Sequence, residues 1–345
     1  AAIYGARGGN GVVVITTKKG ARNSKASVTY ESYVGMQEPW KLMSLLNAQE
    51  YATLVNEGRA ADGKTPFEGL EDPASLGQGT DWQRELFSRA PMSSQSVRYT
   101  NGTANSSMAL SASRFSQEGI VGGERDGYER STVRLNADQN AGERFKIGQV
   151  LSFTNTEDRV IADNSEFVSP VFRALNFDPV TESIRPDGSY AYAAYSRSAD
   201  VQNPLNQIAL SNDSYRTNRF VGNIWGEWRL LSNLKFKSSV NADVSFQERS
   251  NFLPSYDLAE YDGDPNRPPW DERVVNSIGR ENRTWKGWQW ENFATYTHDL
   301  AEDKTFEVVA GYSASLYTYN FLGASRDSLA ANDPYYAYLA NTITF

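Results

Sequence analysis

Apolar and polar residues alternate over long stretches of this chain. In residues 234–247, Leu234, Phe236, Val240, Ala242, Val244 and Phe246 share one parity, broken only by Ser238. Lys235, Lys237, Ser239, Asn241, Asp243, Ser245 and Gln247 fill the other parity without an apolar member. Successive side chains of a strand point to opposite faces, so this stretch is a strand with one apolar and one polar face. Ser131, Val133, Leu135 and Ala137 oppose Arg130, Thr132, Arg134, Asn136 and Asp138 in the same way, and Phe306, Val308, Ala310, Tyr312, Ala314 and Leu316 form a third such face. A soluble sandwich also alternates. These runs, however, exceed the roughly 5–6 residues of an average globular strand and reach the roughly 9–11 that cross a bilayer at a tilt.

The pattern predicts strands near 27–37, 93–102, 106–118, 127–139, 144–156, 215–231, 233–250, 283–299 and 304–322. Very short turns are expected at 103–105, 140–143, 232 and 300–303. Long loops are expected at 38–92, 157–214 and 251–282, with a shorter one at 118–126. Short and long connections therefore alternate, which is the asymmetry of an outer-membrane barrel, tight at the periplasmic end and long at the extracellular end. Within the first long loop, Asn47–Glu50 and Thr80–Gln83 have capping-box spacing and predict two helix starts. The chain opens differently, with Gly5, Gly8, Gly9 and Gly11 leading into a β-branched run at 12–17. Glycines followed by a strand do not make a phosphate-binding loop, which must feed a helix N-terminus and end in Gly-Lys-Ser/Thr.

Composition narrows the class. Aromatic residues make up 12% (19 Tyr, 16 Phe, 8 Trp) although the mean hydropathy is −0.57, as expected when lipid-facing and lumen-facing residues cancel in the average. No run of about 18 apolar residues exists to form a transmembrane helix. The net charge of −8 argues against a nucleic-acid partner, which calls for a basic patch. With no Cys and a single His, His298, neither a thiolate site nor a multi-His metal centre can be assembled, no catalytic constellation is visible, and no cofactor is expected. Asp262-Gly-Asp264-Pro-Asn266 has the look of a calcium loop, but Arg267 and Arg273 stand where that loop needs Gly and a bidentate Glu.

Residues 1–20, AAIYGARGGNGVVVITTKKG, closely resemble the segment that closes the plug domain in SusC/RagA-type TonB-linked outer-membrane transporters. The residues that carry this motif are Tyr4, Gly5, Arg7, Gly8, Asn10 and Gly11. Three later stretches follow in the same order: 45–51, Thr80-Asp-Trp82, and 115–136 with its Gln-Glu-Gly-Ile pattern and Arg-Leu-Asn ending. The resemblance implies an all-β fold: a partial transmembrane antiparallel β-barrel of about nine of an expected 22 or so strands, preceded by the end of a plug. Residues 1–22 are then plug and 23–345 barrel, and the chain is expected to be an internal piece, since nine strands do not close such a barrel.

By resemblance, the whole protein imports oligosaccharides or peptides across the outer membrane of a Gram-negative bacterium of the Bacteroidetes type. Its implied partners are a SusD-like surface lipoprotein, the TonB–ExbB–ExbD complex through a contact segment absent here, and outer-membrane lipid. Two other functions remain open: a passive porin-like barrel, and a soluble β-rich glycan-binding or adhesion module. For substrate contact, Tyr190, Tyr192, Tyr195 and Trp270 fall in expected extracellular loops, where an exposed ring can stack on a sugar or a side chain. Trp285, Trp288 and Trp290 are expected in an interfacial aromatic girdle. Arg130, Arg134, Lys235, Lys237 and Asp243 are expected to face the lumen.

Overall fold

The computed structural model describes residues 9–11, 19–161, 169–191, 193, 195, 202–257, 272–301 and 304–341. Nine strands form one antiparallel up-and-down sheet: β1 (Ser24–Gln37), β2 (Ala90–Gly102), β3 (Ser106–Gly119), β4 (Gly123–Ala141), β5 (Phe145–Val160), β6 (Asp213–Leu231), β7 (Leu234–Leu253), β10 (Ser277–Ala301) and β11 (Lys304–Asp327). A separate two-stranded ladder joins β8 (Tyr256–Asp257) to β9 (Glu272–Arg273). Each strand of the large sheet pairs with its neighbour in sequence order, and the sheet is open, with β1 and β11 at its edges.

All nine strands stand where alternation predicts them, and most run further. The strand expected at 283–299 spans Ser277–Ala301, and that expected at 304–322 spans Lys304–Asp327. Beyond the predicted bounds neither face stays apolar, yet the backbone ladder continues. For the same reason the loop expected at 118–126 is only the three residues 120–122 between β3 and β4. The other connections keep the asymmetry: 103–105, 142–144 and 232–233 at one end of the sheet, 38–89 and 161–212 at the other.

Register carries the face assignment from strand to strand. Tyr30 pairs with Val97, Val97 with Ala112, Ala112 with Val133, Val133 with Phe153, Phe153 with Phe220 and Phe220 with Val244. Further along, Val240 pairs with Trp290, and Trp290 with Ala314. One face is thus a continuous apolar belt, and its large side chains are exposed: Val34 at 83%, Val240 at 51% and Leu316 at 53%. The belt occupies 145–153 in β5, 220–228 in β6, 288–296 in β10 and 306–316 in β11, each about the 9–11 residues a tilted crossing strand needs. A soluble protein leaves no such band bare.

The two faces should therefore respond oppositely to charge. In the membrane-inserted protein, Val240→Arg is expected to cost roughly 2–4 kcal/mol near mid-belt, and Asn241→Arg far less. Unfolding free energies measured in lipid check this, and equal losses at the two positions would contradict a one-sided belt.

Candidate functional site

The polar face of the sheet is concave and encloses a trough of about 970 Å³. Hydroxyl groups line much of it, from Ser96, Ser111, Ser113, Thr132, Thr154 and Thr217. Arg98 and Arg134 lie in one cross-strand row, each paired in register with Ser111. Arg130 stands over the Phe115 ring, 5.8 Å from its centre. Arg219 donates to both oxygens of Asp243 at 2.9 and 2.6 Å, the fork geometry that suits guanidinium to carboxylate. Arg130, Arg134, Lys235, Lys237 and Asp243 all share this face by register, as alternation implies. Lys237 and Lys146 flank the Trp225 ring at 5.0 and 5.3 Å.

At the end with the short turns, the chain enters the sheet through an ionic clasp. Arg22 donates to Asp138 at 2.9 Å, to Asn140 at 3.0 Å and to the Ala104 carbonyl at 3.3 Å. Lys146 pairs with the same Asp138 at 2.8 Å, and the Ser107 hydroxyl also donates to it. Gly20 lies against the β2–β3 hairpin, where a Cβ would come within 2.5 Å of the Met108 carbonyl oxygen. Any larger residue would push the entering segment off the rim. Of the glycine motif, Tyr4, Gly5, Arg7 and Gly8 lie outside the described residues. Asn10 sits in a turn, and Gly11 adopts φ 98°.

At the opposite end, two of the long loops fold into a small helical cap with its own core. The helices are α1 (Ala48–Ala61), α2 (Trp82–Leu86), α3 (Pro170–Asn176) and α4 (Pro204–Leu210). Trp82, Leu86, Ile161, Ala174, Phe177 and Ile208 are buried together. Asn47 and Glu50 make the reciprocal capping box at the start of α1, at 2.9 and 3.0 Å. The second box forms differently. Asp81, one residue later than expected, caps α2 by accepting from Arg84 N–H. Thr80 instead donates to the Thr181 carbonyl at 2.8 Å, and Gln83 exchanges hydrogen bonds with the Met43 backbone. Thr80 and Gln83 are thus recruited by tertiary partners, and the cap moves to the next competent side chain.

The Thr80-Asp-Trp82 stretch is the docking point between the two loops. The Trp82 indole packs on Phe177 with ring centres 4.3 Å apart and donates to the Asp178 carbonyl at 2.8 Å. The fully buried Asp178 carboxylate accepts from Thr181 N–H and Oγ1 and from Tyr195 N–H at 2.8, 2.7 and 3.3 Å. Tyr195 ties the loops together: its hydroxyl donates to the Glu68 carbonyl, and its own carbonyl accepts from the Tyr51 hydroxyl. Burial, then the charges of Asp178, Glu71 and Glu68, raise the Tyr195 phenol pKa, so it stays a neutral donor.

Of the four tyrosine and tryptophan candidates, Tyr195 is therefore engaged in this clasp. Tyr190 is half-buried in a bridge with Ile184. Tyr192 and Trp270, like the acidic stretch around Asp262, lie outside the described residues. His298 stacks near Tyr296, with ring centres 6.3 Å apart. Trp288 and Trp290 belong to the outer belt, but Trp285 does not. It pairs in register with Ser245 and Tyr319 on the polar face. The signal was present in the spacing: Trp288 lies three positions after Trp285, and an odd step in a strand reverses the face.

No protein-family profile matches the chain. It is 29% identical over 266 residues to TonB-dependent receptor P3 of Formosa agariphila, covering 75% of this chain and 25% of that protein. It is 28% identical to receptor P26 of the same organism, covering 90% and 30%. With TonB-dependent receptor SusC of Bacteroides thetaiotaomicron it shares 27% over 279 residues, covering 74% and 26%. The chain thus spans about a quarter to three-tenths of these curated relatives. Among solved structures, the RagAB peptide transporter aligns with a TM-score of 0.81 at 19% identity, covering 99% of this chain and 40% of that one. That likeness establishes the shared fold.

Trp82→Ala removes the central ring of the cap and is expected to destabilise it by about 3–5 kcal/mol. Limited proteolysis should then cut within 161–212 while β4 and β5 keep their amide-exchange protection. Equal loosening of cap and wall would show that the two are not separate cores.

Proposed function

We propose that this chain, which belongs with the TonB-dependent receptors of the SusC/RagA type, builds part of the wall of an outer-membrane barrel that imports oligosaccharides or peptides in a Gram-negative bacterium. The observation that carries this reading is the belt: an exposed apolar band across nine paired strands, backed by a hydroxyl- and arginine-lined concave face. Hydrocarbon demands such a structure, because every backbone polar group must be paired within the sheet while one face stays apolar.

In this reading residues 1–22 end a plug and residues 23–345 form the wall. The support is the entry clasp. Arg22, held by Asp138 and Asn140, fixes the chain at the short-turn rim just before β1 begins at Ser24. A segment anchored there can move on its inner side without pulling the wall apart. The short-turn end faces the periplasm, from which the TonB–ExbB–ExbD complex supplies energy. The capped end faces outward, toward a SusD-like lipoprotein that delivers substrate. Tyr190 and Tyr195 shape the cap at the outward end, and Tyr192 and Trp270 are proposed for substrate contact.

Two measurements on the full-length receptor test this. Membrane-impermeant maleimide applied to intact cells should label Asp187→Cys in the outward loop and spare Ala141→Cys at the short-turn end; the reverse labelling would invert the topology. Deleting the plug should turn a closed barrel into an open pore in planar bilayers. Unchanged conductance would refute occlusion and favour a passive barrel.

A further inference from the structure

Above the lipid belt, β10 and β11 continue for about ten residues each, which at the usual tilt raises the wall by roughly 20–25 Å. On the inner face of this extension stand Trp285, Tyr317, Tyr319 and Phe321, with exposures of 38%, 64%, 54% and 55%. Register sets them side by side: Trp285 pairs with Tyr319, and the flanking pairs are Gly287 with Tyr317 and Arg283 with Phe321. Trp285 and Tyr319 have ring centres 5.3 Å apart. Tyr317 lies across Gly287 so closely that a Cβ there would be 2.7 Å from the ring. Glycine at 287 leaves the room this ring occupies, which a Cβ would take.

The ionic groups beside the strip are already spent on one another. Arg249 pairs with Asp213 at 2.6 Å and with Glu281 at 3.1 Å, and Arg283 pairs with Glu281 at 2.5 Å. Two guanidinium groups meet two carboxylates, so the strip has no net charge to offer. Hydrogen-bonding side chains remain alongside it on the same face, among them Ser245, Gln289 and Ser315.

We propose that this strip is a stacking wall for a neutral oligosaccharide in the outer vestibule. The proposal rests on the reading that the concave face lines the transport path. A pyranose ring matches the strip in both respects: its C–H face packs on an aromatic face, while its hydroxyls reach amide and hydroxyl groups at the edge. A charged peptide would need free counter-charges, and those nearest the strip are paired. The rings do not belong to the lipid girdle, because they stand on the opposite face from Trp288 and Trp290 and above the belt.

The test uses the purified full-length receptor and a panel of fluorescent neutral oligosaccharides (glucans, fructans, mannans, xylans), with polygalacturonate chains and a mixed decapeptide library as competitors. At least one neutral glycan should bind, and Trp285→Ala, Tyr317→Ala and Tyr319→Ala should each weaken it by roughly tenfold, the scale of one aromatic contact. Trp290→Ala, on the lipid face, should leave affinity unchanged, and heat-modifiable gel migration verifies that every variant is folded. Binding of no neutral glycan, binding of decapeptides alone, or glycan affinity untouched by the three inner-face variants overturns the proposal. A receptor that takes up decapeptides in a TonB-dependent manner and binds no neutral glycan would overturn the stacking wall and leave the transport reading intact.

Discussion

Everything in this molecule depends on the antiparallel ladder, because a backbone in hydrocarbon has no water to satisfy its polar groups. The neighbour-to-neighbour pairing of nine strands meets that demand across the sheet and leaves side chains free to divide by parity. The outer parity is apolar for the height of a bilayer, and the inner parity carries hydroxyls and arginines. Slipping any strand by one residue would exchange the two faces, so the register that keeps Val240 outside also keeps Asn241 and Asp243 inside.

Outside the belt the physics changes. The long loops meet water, and they cohere as a small soluble protein does, by burying Trp82, Phe177 and Ile208 around the hydrogen-bonded carboxylate of Asp178. Buried Asp178 is tolerable because Thr181 and Tyr195 supply its donors. At the other rim, Arg22 and Lys146 converge on Asp138. The wall thus carries an ionic anchor at one rim and a separately packed cap at the other.

Period two made the wall legible in sequence, and the strand centres follow it closely. Strand ends were hidden because Ser277–Asn282 and Gly323–Asp327 keep no apolar parity, and only pairing with a neighbour makes them strands. Parity also exposes Trp285 as an inner-face residue, though composition groups it with Trp288 and Trp290. The box at Asn47–Glu50 is local chemistry and forms as written, whereas Thr80 and Gln83 are claimed by Thr181 and Met43, partners that spacing cannot name. The clasp of Arg22 on Asp138 joins residues far apart in the chain, and the union of loops at Asp178 and Tyr195 is likewise long-range. Nothing in a one-dimensional pattern announces either.

The central claim is that one face of this sheet meets lipid and the other does not. Spin labels placed one at a time along residues 234–247 of the membrane-inserted receptor test it most directly, read by collision with oxygen, which enters bilayers, and with a water-soluble nickel chelate. The account predicts a two-residue oscillation, with oxygen contact high at Phe236, Val240, Val244 and Phe246 and low at Lys237, Asn241 and Asp243. A flat profile, or nickel contact high at both parities, would contradict it.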